Sequence, residues 1–323
     1  MYKRNYVLYL MLLCSYMAVG QKVVNLNNGK LKIVQFTDIH YVATNPAAKS
    51  SLKLIEEVLA AEKPDLVALT GDIVTMKPCF EGWDDILNTV EKFKIPWAAV
   101  LGNHDDEQDK TRSEIIEYIS KRKYSLTSKG PDDIKGVGNY IIEVSDGTAT
   151  NFLLYFMDSN AYSKIEGVNG YDWFGHDQVE WYRKQSAEYT KKNSGAPIPA
   201  LAFFHIPLNE YSDMTLARKK IVGLKNEAEC PPAINPGMFL AMKESGDVMA
   251  TFVGHDHDND YIGDYLGIFL AYGRFSGSTT TYMHFTHGAR VIELAAGEKG
   301  FKTWIRLKDN HIINTVNSID FNK

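Results

Sequence analysis

Apolar runs and helix-like patterns alternate along the chain from residue 31 onward. The apolar runs lie at 31–36, 66–69, 96–101, 152–157, 200–204 and 248–253. The segments 48–62, 82–93 and 176–192 predict helices, and in the first of them Leu52, Ile55 and Leu59 recur at helical spacing. Uninterrupted apolar strands that alternate with helices are typical of a sheet buried on both faces.

The C-terminal part of the chain has the composition of strands separated by turns. Segments 268–271, 290–295 and 301–307 carry this pattern. The whole chain therefore predicts an α/β fold, a layered sandwich of two sheets flanked by helices. Because no linker-like run of Pro, Gly and Ser divides it, we expect residues 21–323 to form a single domain.

Residues 1–20 differ in pattern from the rest. Lys3 and Arg4 precede an almost wholly apolar stretch, 7–19, and small residues follow it. This arrangement is typical of a cleaved signal peptide, and the stretch is too short for a membrane span. We expect a periplasmic or secreted protein with no membrane span after cleavage. The alternative is an uncleaved N-terminal anchor helix.

The charge of the chain argues against broad electrostatic binding. The net charge is −5, and it becomes −7 without residues 1–20, which hold two basic residues and no acidic ones. An acidic body does not favour nucleic acid as a stable partner, so any attraction to phosphate must be local.

Cys79 and Cys230 would remain after cleavage, either as one disulfide or as two thiols.

Most of the apolar runs before residue 254 end in Asp, Asn or His. The side chains delivered in this way are Asp38 and His40, Asp72, Asn103 with His104 and Asp105, His205, and His255 with His257. Ligands of open α/β sheets bind outside the carboxyl ends of strands. Five segments are therefore expected to bring metal-binding side chains to one edge of a sheet.

The residue types at this edge indicate which metals would bind. Carboxylate and amide oxygens mixed with imidazole suit Fe, Mn or Zn, and the absence of cysteine disfavours a structural zinc site. Two such ions can lower the pKa of a shared water, so that hydroxide is available near neutral pH, and can hold phosphoryl oxygens during its attack. Metals would also let a net-acidic protein bind phosphate.

Taken in order, these motifs resemble a known superfamily. Asp-x-His, Gly-Asp, Gly-Asn-His-Asp, a single His and Gly-His-x-His are similar to the motifs of the calcineurin-like metallophosphoesterases, over roughly residues 31–295. Residues 254–260, followed by Ala271-Tyr272-Gly273 and Ala289-Arg290-Val291, resemble the purple-acid-phosphatase-like branch. The resemblance implies the four-layer α/β/β/α sandwich of two mixed sheets that is typical of this superfamily.

The resemblance also implies roles for individual residues. One metal ion would be held by Asp38, His40, Asp72 and His257. A second would be held by Asp72, Asn103, His205 and His255, so that Asp72 bridges the two. His104 would be the general acid that protonates the leaving oxygen, and Asp105 would orient it. The cofactors would be two divalent or trivalent ions, Fe, Mn or Zn.

Two positions depart from true purple acid phosphatases. Those enzymes have Gly where His40 stands, and a metal-bound Tyr three residues after the bridging Asp, where this chain has Thr75. The resemblance therefore does not extend to the iron–tyrosinate absorption that gives the purple colour.

Three functions fit these motifs. The first is a phosphomonoesterase acting on a small phosphorylated substrate, by attack of a metal-bound hydroxide with His104 as general acid. The second is a phosphodiesterase for cyclic nucleotides, glycerophosphodiesters or nucleic acid, because the same metal core serves both reactions. The third is an inactive binding module, which is disfavoured because every ligand position and His104 are filled.

Overall fold

The computed structural model describes residues 22–323, so the predicted signal peptide lies outside the described residues. Its strands are β1 (Lys22–Asn25), β2 (Lys30–Phe36), β3 (Leu66–Thr70), β4 (Trp97–Val100), β5 (Tyr140–Ser145), β6 (Thr150–Phe156), β7 (Ala200–Phe203), β8 (Ile221–Val222), β9 (Val248–Val253), β10 (Ile262–Tyr265), β11 (Ile268–Tyr272), β12 (Gly288–Ala295), β13 (Lys302–Leu307) and β14 (Ile312–Asn317). Its α-helices are α1 (Lys49–Glu62), α2 (Cys79–Glu91), α3 (Arg112–Ser120), α4 (His176–Lys192), α5 (Asn209–Leu216) and α6 (Met238–Ser245).

The strands form two mixed sheets. A six-stranded sheet has the order β14-β13-β12-β2-β3-β4, and an eight-stranded sheet has the order β1-β5-β6-β7-β9-β11-β10-β8. β2, β3 and β4 run parallel in the first sheet, and β6, β7, β9 and β11 run parallel in the second. Most of these parallel strands are the apolar runs whose ends carry the polar clusters.

The apolar strands are buried on both faces because the sheets stack between layers of helices. In β2, Ile33 belongs to the core between the sheets, whereas its neighbour Val34 packs with residues of α1 and α2. On the other side, Leu153 of β6 packs in a third core with residues of α4, α5 and α6. Successive strand residues point to opposite faces, so both must be apolar. The predicted α/β/β/α sandwich of two mixed sheets is confirmed.

The N-terminus of helix α3 is fixed by a local sequence signal. Thr111 accepts a hydrogen bond from the Glu114 N–H, and the Glu114 carboxylate accepts one from the Thr111 N–H, which is a capping box. Ile115, Ile116 and Ile119 are buried in the same core as residues of α1 and α2.

Over residues 22–323, none of the helices combines the length and apolarity that crossing a bilayer requires.

Candidate metal centre

The seven residues expected as metal ligands follow the ends of five strands and are all buried. Asp38 and His40 follow β2, Asp72 follows β3, Asn103 follows β4, His205 follows β7, and His255 and His257 follow β9. None of the seven residues is more than 7% exposed. Burying this many polar groups is costly unless they are paired or bind an ion. Their contacts with one another distinguish these two cases.

Four of the seven residues form a compact cluster. One ligand atom each from Asp38, His40, Asp72 and His257 lies within 4.8 Å of the others. The His40 and His257 Nε2 atoms are 3.0 Å apart. His40 Nε2 is 3.5 Å from Asp72 Oδ2, and His257 Nε2 is 3.7 Å from Asp38 Oδ1. Two imidazole nitrogens and two carboxylates around one point are a donor set suited to a divalent cation.

The other three residues form a second group. Asn103 Oδ1 and His255 Nε2 are buried and have no hydrogen-bond partner among the described residues, and His205 Nε2 is buried 3.2 Å from Asp72 Oδ2. A buried polar atom without a partner costs roughly 1–3 kcal/mol, so two in one place call for an explanation. A second cation would supply one, because an amide oxygen and the unprotonated Nε2 of a histidine each have a lone pair available for coordination.

Asp72 lies between the two groups. Its Oδ2 is 3.5 Å from His40 Nε2 and 3.2 Å from His205 Nε2. Its Oδ1 accepts the backbone N–H of His104 at 2.9 Å, which fixes the carboxylate plane. The geometry fits the bridging position that the family resemblance implies for this residue.

Burial and neighbouring charges set the protonation of these side chains. Burial lowers the pKa of His40 to about 3 and that of His255 well below its usual range, so both rings are neutral, as metal ligands must be. Burial would raise the pKa of Asp72, but the neighbouring histidines, His205 first, hold it well below the usual range. Burial raises the pKa of Asp38. Burial would lower the pKa of His205, but Asp72 raises it to about 9, so the negative charge of Asp72 faces a protonated His205 when no metal is bound.

Backbone carbonyls orient two of the imidazoles. His205 Nδ1 lies 2.8 Å from the Thr70 carbonyl oxygen, and His257 Nδ1 lies 2.9 Å from that of Tyr282. When Nδ1 donates its proton in this way, Nε2 is left as the basic nitrogen that faces the site. This is the usual arrangement around metal-bound histidine.

The backbone of the site is strained where the ligands lie. Asp38, His40, Asp72 and His255 all have positive φ angles, of 53°, 45°, 52° and 81°. Non-glycine residues rarely adopt this region, and such residues cluster at functional sites.

Close packing explains two of the motif glycines. A Cβ on Gly102 would lie 2.1 Å from Asp72 Oδ1, and one on Gly254 would lie 2.6 Å from Asp38 Oδ2. No side chain fits at either position without displacing a candidate ligand. The glycines of the two motifs therefore serve the packing of the metal centre.

The predicted general acid, His104, lies at the rim of the site. Its ring centroid is 5.6 Å from that of His40, and its side chain is 37% exposed. His104 Nδ1 is 2.7 Å from Glu107 Oε2. Glu107 therefore orients the ring. The sequence pattern did not predict this contact, although Glu107 stands only three positions after His104.

Asp105, which we expected to orient His104, hydrogen-bonds backbone N–H groups instead. Its two oxygens accept four backbone N–H groups, those of Asp72, Ile73, Val74 and Gly102, at 2.7–3.0 Å. Burial and the nearby Asp72 raise its pKa to about 6. Asp105 thus ties the segment after β3 to the segment after β4, and its role is corrected from orienting the acid to holding the ligand loops.

A second polar contact at the site was not predicted. The Asn103 amide Nδ2 donates to the Tyr162 hydroxyl at 3.0 Å. Burial raises the pKa of Tyr162 to about 12, so its phenol is protonated at neutral pH. Tyr171 stacks on Tyr162 and packs its ring against His255, with centroids 4.3 Å apart. The segment between β6 and α4 therefore covers the second group of ligands.

Several residues outside the candidate ligand set have structural roles. Asp158 pairs with Arg112, which also donates to the carbonyls of Leu101 and Gly102 at the end of β4. Arg274 pairs with the buried Asp260 and is not directed at the metal centre. Cys79 is buried and Cys230 is exposed, and both are free thiols.

Comparison with known proteins identifies the family. A family model described as calcineurin-like phosphoesterase matches residues 31–259. A relative from Arabidopsis thaliana, named probable inactive purple acid phosphatase 29, is 32% identical over 329 residues, which cover 88% of this chain and 84% of the relative. Phosphatase DCR2 of Saccharomyces cerevisiae is also 32% identical, over 89% of this chain and 55% of its own length. A dimetal phosphatase from Danio rerio has the same fold, with a TM-score of 0.62 at 16% identity, covering 89% of this chain and 98% of that one. The chain belongs to the calcineurin-like phosphoesterase family.

Proposed function

We propose that this protein hydrolyses phosphate monoesters at a centre of two metal ions. The observation that carries the proposal is the pairing of two complementary clusters around Asp72. One cluster has four ligand atoms within 4.8 Å of one another, and the other has the buried His205 Nε2 beside two buried polar atoms without a partner among the described residues. Two cations would satisfy both clusters at once, which one cation would not.

The candidate ligands divide between the two ions as the family motifs imply. The first ion would be held by Asp38, His40, Asp72 and His257, and the second by Asp72, Asn103, His205 and His255. Bound ions supply Lewis-acid chemistry: they polarise phosphoryl oxygens and lower the pKa of a coordinated water. Fe, Mn and Zn all suit this donor set.

We assign to His104 the delivery of the proton that the departing oxygen needs. Its ring lies beside His40 at the rim, so the leaving group can approach it from solvent. Glu107 binds Nδ1, which leaves Nε2 as the nitrogen that transfers the proton. A positioned acid of this kind contributes about 10²–10⁴-fold to a rate.

The main alternative is a protein that keeps the fold without turnover. The Arabidopsis thaliana relative carries the word inactive in its name, whereas the yeast relative is named a phosphatase. This chain retains all seven ligand side chains, together with His104 and its partner Glu107. A degenerate site would be expected to have lost at least one of them.

The test is an assay after metal exchange. The protein is stripped with a chelator, reloaded with Mn²⁺, Zn²⁺ or Fe²⁺, and assayed with p-nitrophenyl phosphate and bis(p-nitrophenyl) phosphate. We expect turnover to return with metal and to favour the monoester, and Asp72→Asn to remain inactive. A preference for the diester would make the protein a phosphodiesterase. Two bound ions without turnover of either ester would favour the binding module.

We also propose that the protein works in the periplasm or outside the cell. The support is the sequence of residues 1–20, with its basic start, its apolar stretch and the small residues that follow. N-terminal sequencing of protein expressed in its own host tests this. A mature chain that still begins at Met1 would contradict it.

A further inference from the structure

The amide of Asn103 can serve a cation in only one orientation. A primary amide has an oxygen that accepts and a nitrogen that donates, and the two ends have nearly the same shape. Only the oxygen can coordinate a metal. A neighbouring group must therefore select the orientation that points the oxygen inward.

The structure has a group in position to do this. Asn103 Nδ2 donates to the Tyr162 hydroxyl at 3.0 Å, while Asn103 Oδ1 is fully buried without a partner among the described residues. Turning the amide over would aim its two N–H donors at the metal position and its oxygen at the Tyr162 hydroxyl. That hydroxyl already directs its own proton at the Glu107 carboxylate, so it is left to accept from Asn103 Nδ2, and the turned amide would lose this hydrogen bond. The contact with Tyr162 thus favours the orientation that coordinates a cation.

Tyr162 is itself held in place by a hairpin, which we name the Tyr162 hairpin and define as residues 161–172. Ser163 N–H donates to the Gly170 carbonyl and Asp172 N–H to the Ala161 carbonyl, both at 3.0 Å. The rings of Tyr162 and Tyr171 stack with centroids 5.6 Å apart. The phenol that meets Asn103 is therefore carried on a paired segment that packs against the site.

We propose that Tyr162 is a positioning residue for the second metal ion, acting by fixing the amide orientation of Asn103. This inference rests on the two-metal centre of the proposed function. It makes the Tyr162 hairpin part of that centre, although no residue of the hairpin belongs to the motifs that carry the family resemblance. The first ion does not depend on the contact, because its ligand His257 is oriented by the Tyr282 carbonyl instead.

Titration of the metal-free protein with Mn²⁺ tests the inference without using activity. Isothermal calorimetry should resolve two ions on the unchanged protein. In Tyr162→Phe, which keeps the ring and removes only the hydroxyl, the first ion should bind as before. The second should bind about 10–100-fold more weakly, the usual cost of losing a group that orients a metal ligand. Tyr118→Phe is the matched control, because it removes a hydroxyl that hydrogen-bonds Asp84 between α2 and α3.

A double-mutant cycle shows whether the effect passes through Asn103. Asn103→Ala removes the ligand, so adding Tyr162→Phe to it should weaken the second ion no further. An additive loss would overturn the inference, because Tyr162 would then act on the site by another route. Identical titrations for Tyr162→Phe and the unchanged protein would also overturn it, with the proposed function intact. A protein that binds no second Mn²⁺ at all would refute the two-metal centre itself.

Discussion

Asp105→Asn is a nearly isosteric change with a cost that can be worked from the structure. The carboxylate of Asp105 accepts four backbone N–H groups from the two segments that carry Asp72 and Asn103. Oδ1 accepts those of Ile73 and Val74, and Oδ2 accepts those of Asp72 and Gly102. An asparagine side chain has the same size, but one of its two positions is an NH₂ group that cannot accept.

The magnitude follows from the donors that lose their partner. Whichever way the introduced amide is turned, two buried N–H groups face its NH₂ instead of an oxygen. Each such unsatisfied donor costs about 1–3 kcal/mol, so the lost acceptor costs about 2–6 kcal/mol in the free energy of unfolding. Asparagine also removes a buried charge whose pKa is raised, which offsets part of this loss. Whole domains are stable by only about 5–15 kcal/mol. The effect of this single substitution on stability should therefore be measurable.

Urea unfolding of the metal-free protein at pH 8 measures the loss. Burial raises the pKa of Asp105 to about 6, so its carboxylate is ionised at that pH in the unsubstituted protein. Asp106→Asn is the matched control, since Asp106 makes a partly exposed ion pair with Arg112 at 3.0 Å, and such pairs contribute about 0–1 kcal/mol. The reasoning fails if Asp105→Asn costs less than about 1 kcal/mol and still abolishes turnover. That result would return Asp105 to the role of orienting His104.

Four further outcomes are expected. His104→Ala should lower turnover by about 10²–10⁴-fold, and unchanged turnover would remove its role as the acid. Metal analysis should still find two ions per chain, because the hydrogen bond from residue 104 to Asp72 comes from the backbone N–H, which the substitution keeps. Glu107→Gln should lose part of that factor, also with two ions bound, and a loss of metal would show that Glu107 is a ligand. The iron-loaded protein should lack an intense visible band because Thr75 stands where the tyrosinate ligand would be, and a strong band would mean that another tyrosine binds iron. Mn²⁺ at about 100 times its Kd should raise the free energy of unfolding by about 2.7 kcal/mol per site, as thermal melts can show; an unshifted melt would contradict binding to the folded state alone.

The sandwich could be predicted because its central strands have a simple signal. Residues 248–253 are almost wholly apolar, and β9 has these bounds; the predicted helix 176–192 is α4. Strands buried on both faces cannot alternate in polarity, so they stand out against amphipathic helices. The cluster of candidate ligands could be predicted for a related reason. A buried strand that stops at Asp72 or His205 places a polar group where only a partner or an ion can accommodate it.

The missed parts depend on contacts between segments distant in the chain. Tyr162 meets Asn103 across 59 positions, and nothing in the sequence around either residue signals the pairing. Asp105 follows His104 directly, which favoured a shared catalytic role, but its oxygens accept N–H groups more than 30 positions away as well as that of Gly102. Side-chain direction in a loop after a strand is set by tertiary packing, which residue type and spacing do not encode.

The strain at the metal centre explains why its support is so extensive. Asp38, His40, Asp72 and His255 each hold a positive φ angle, at a cost of the order of 1–3 kcal/mol per residue. Two imidazole nitrogens 3.0 Å apart and two buried polar atoms, Asn103 Oδ1 and His255 Nε2, without hydrogen-bond partners among the described residues add to this cost when no cation is bound. Such an arrangement persists only if its surroundings over-determine it. The surrounding groups that fix this arrangement are Asp105 with its four N–H donors, Arg112 at the end of β4, and the glycines at 102 and 254. Because these groups hold the candidate ligands through protein contacts alone, the proposed cations would bind at a site that folding has already formed, and binding would not have to supply the free energy of assembling it.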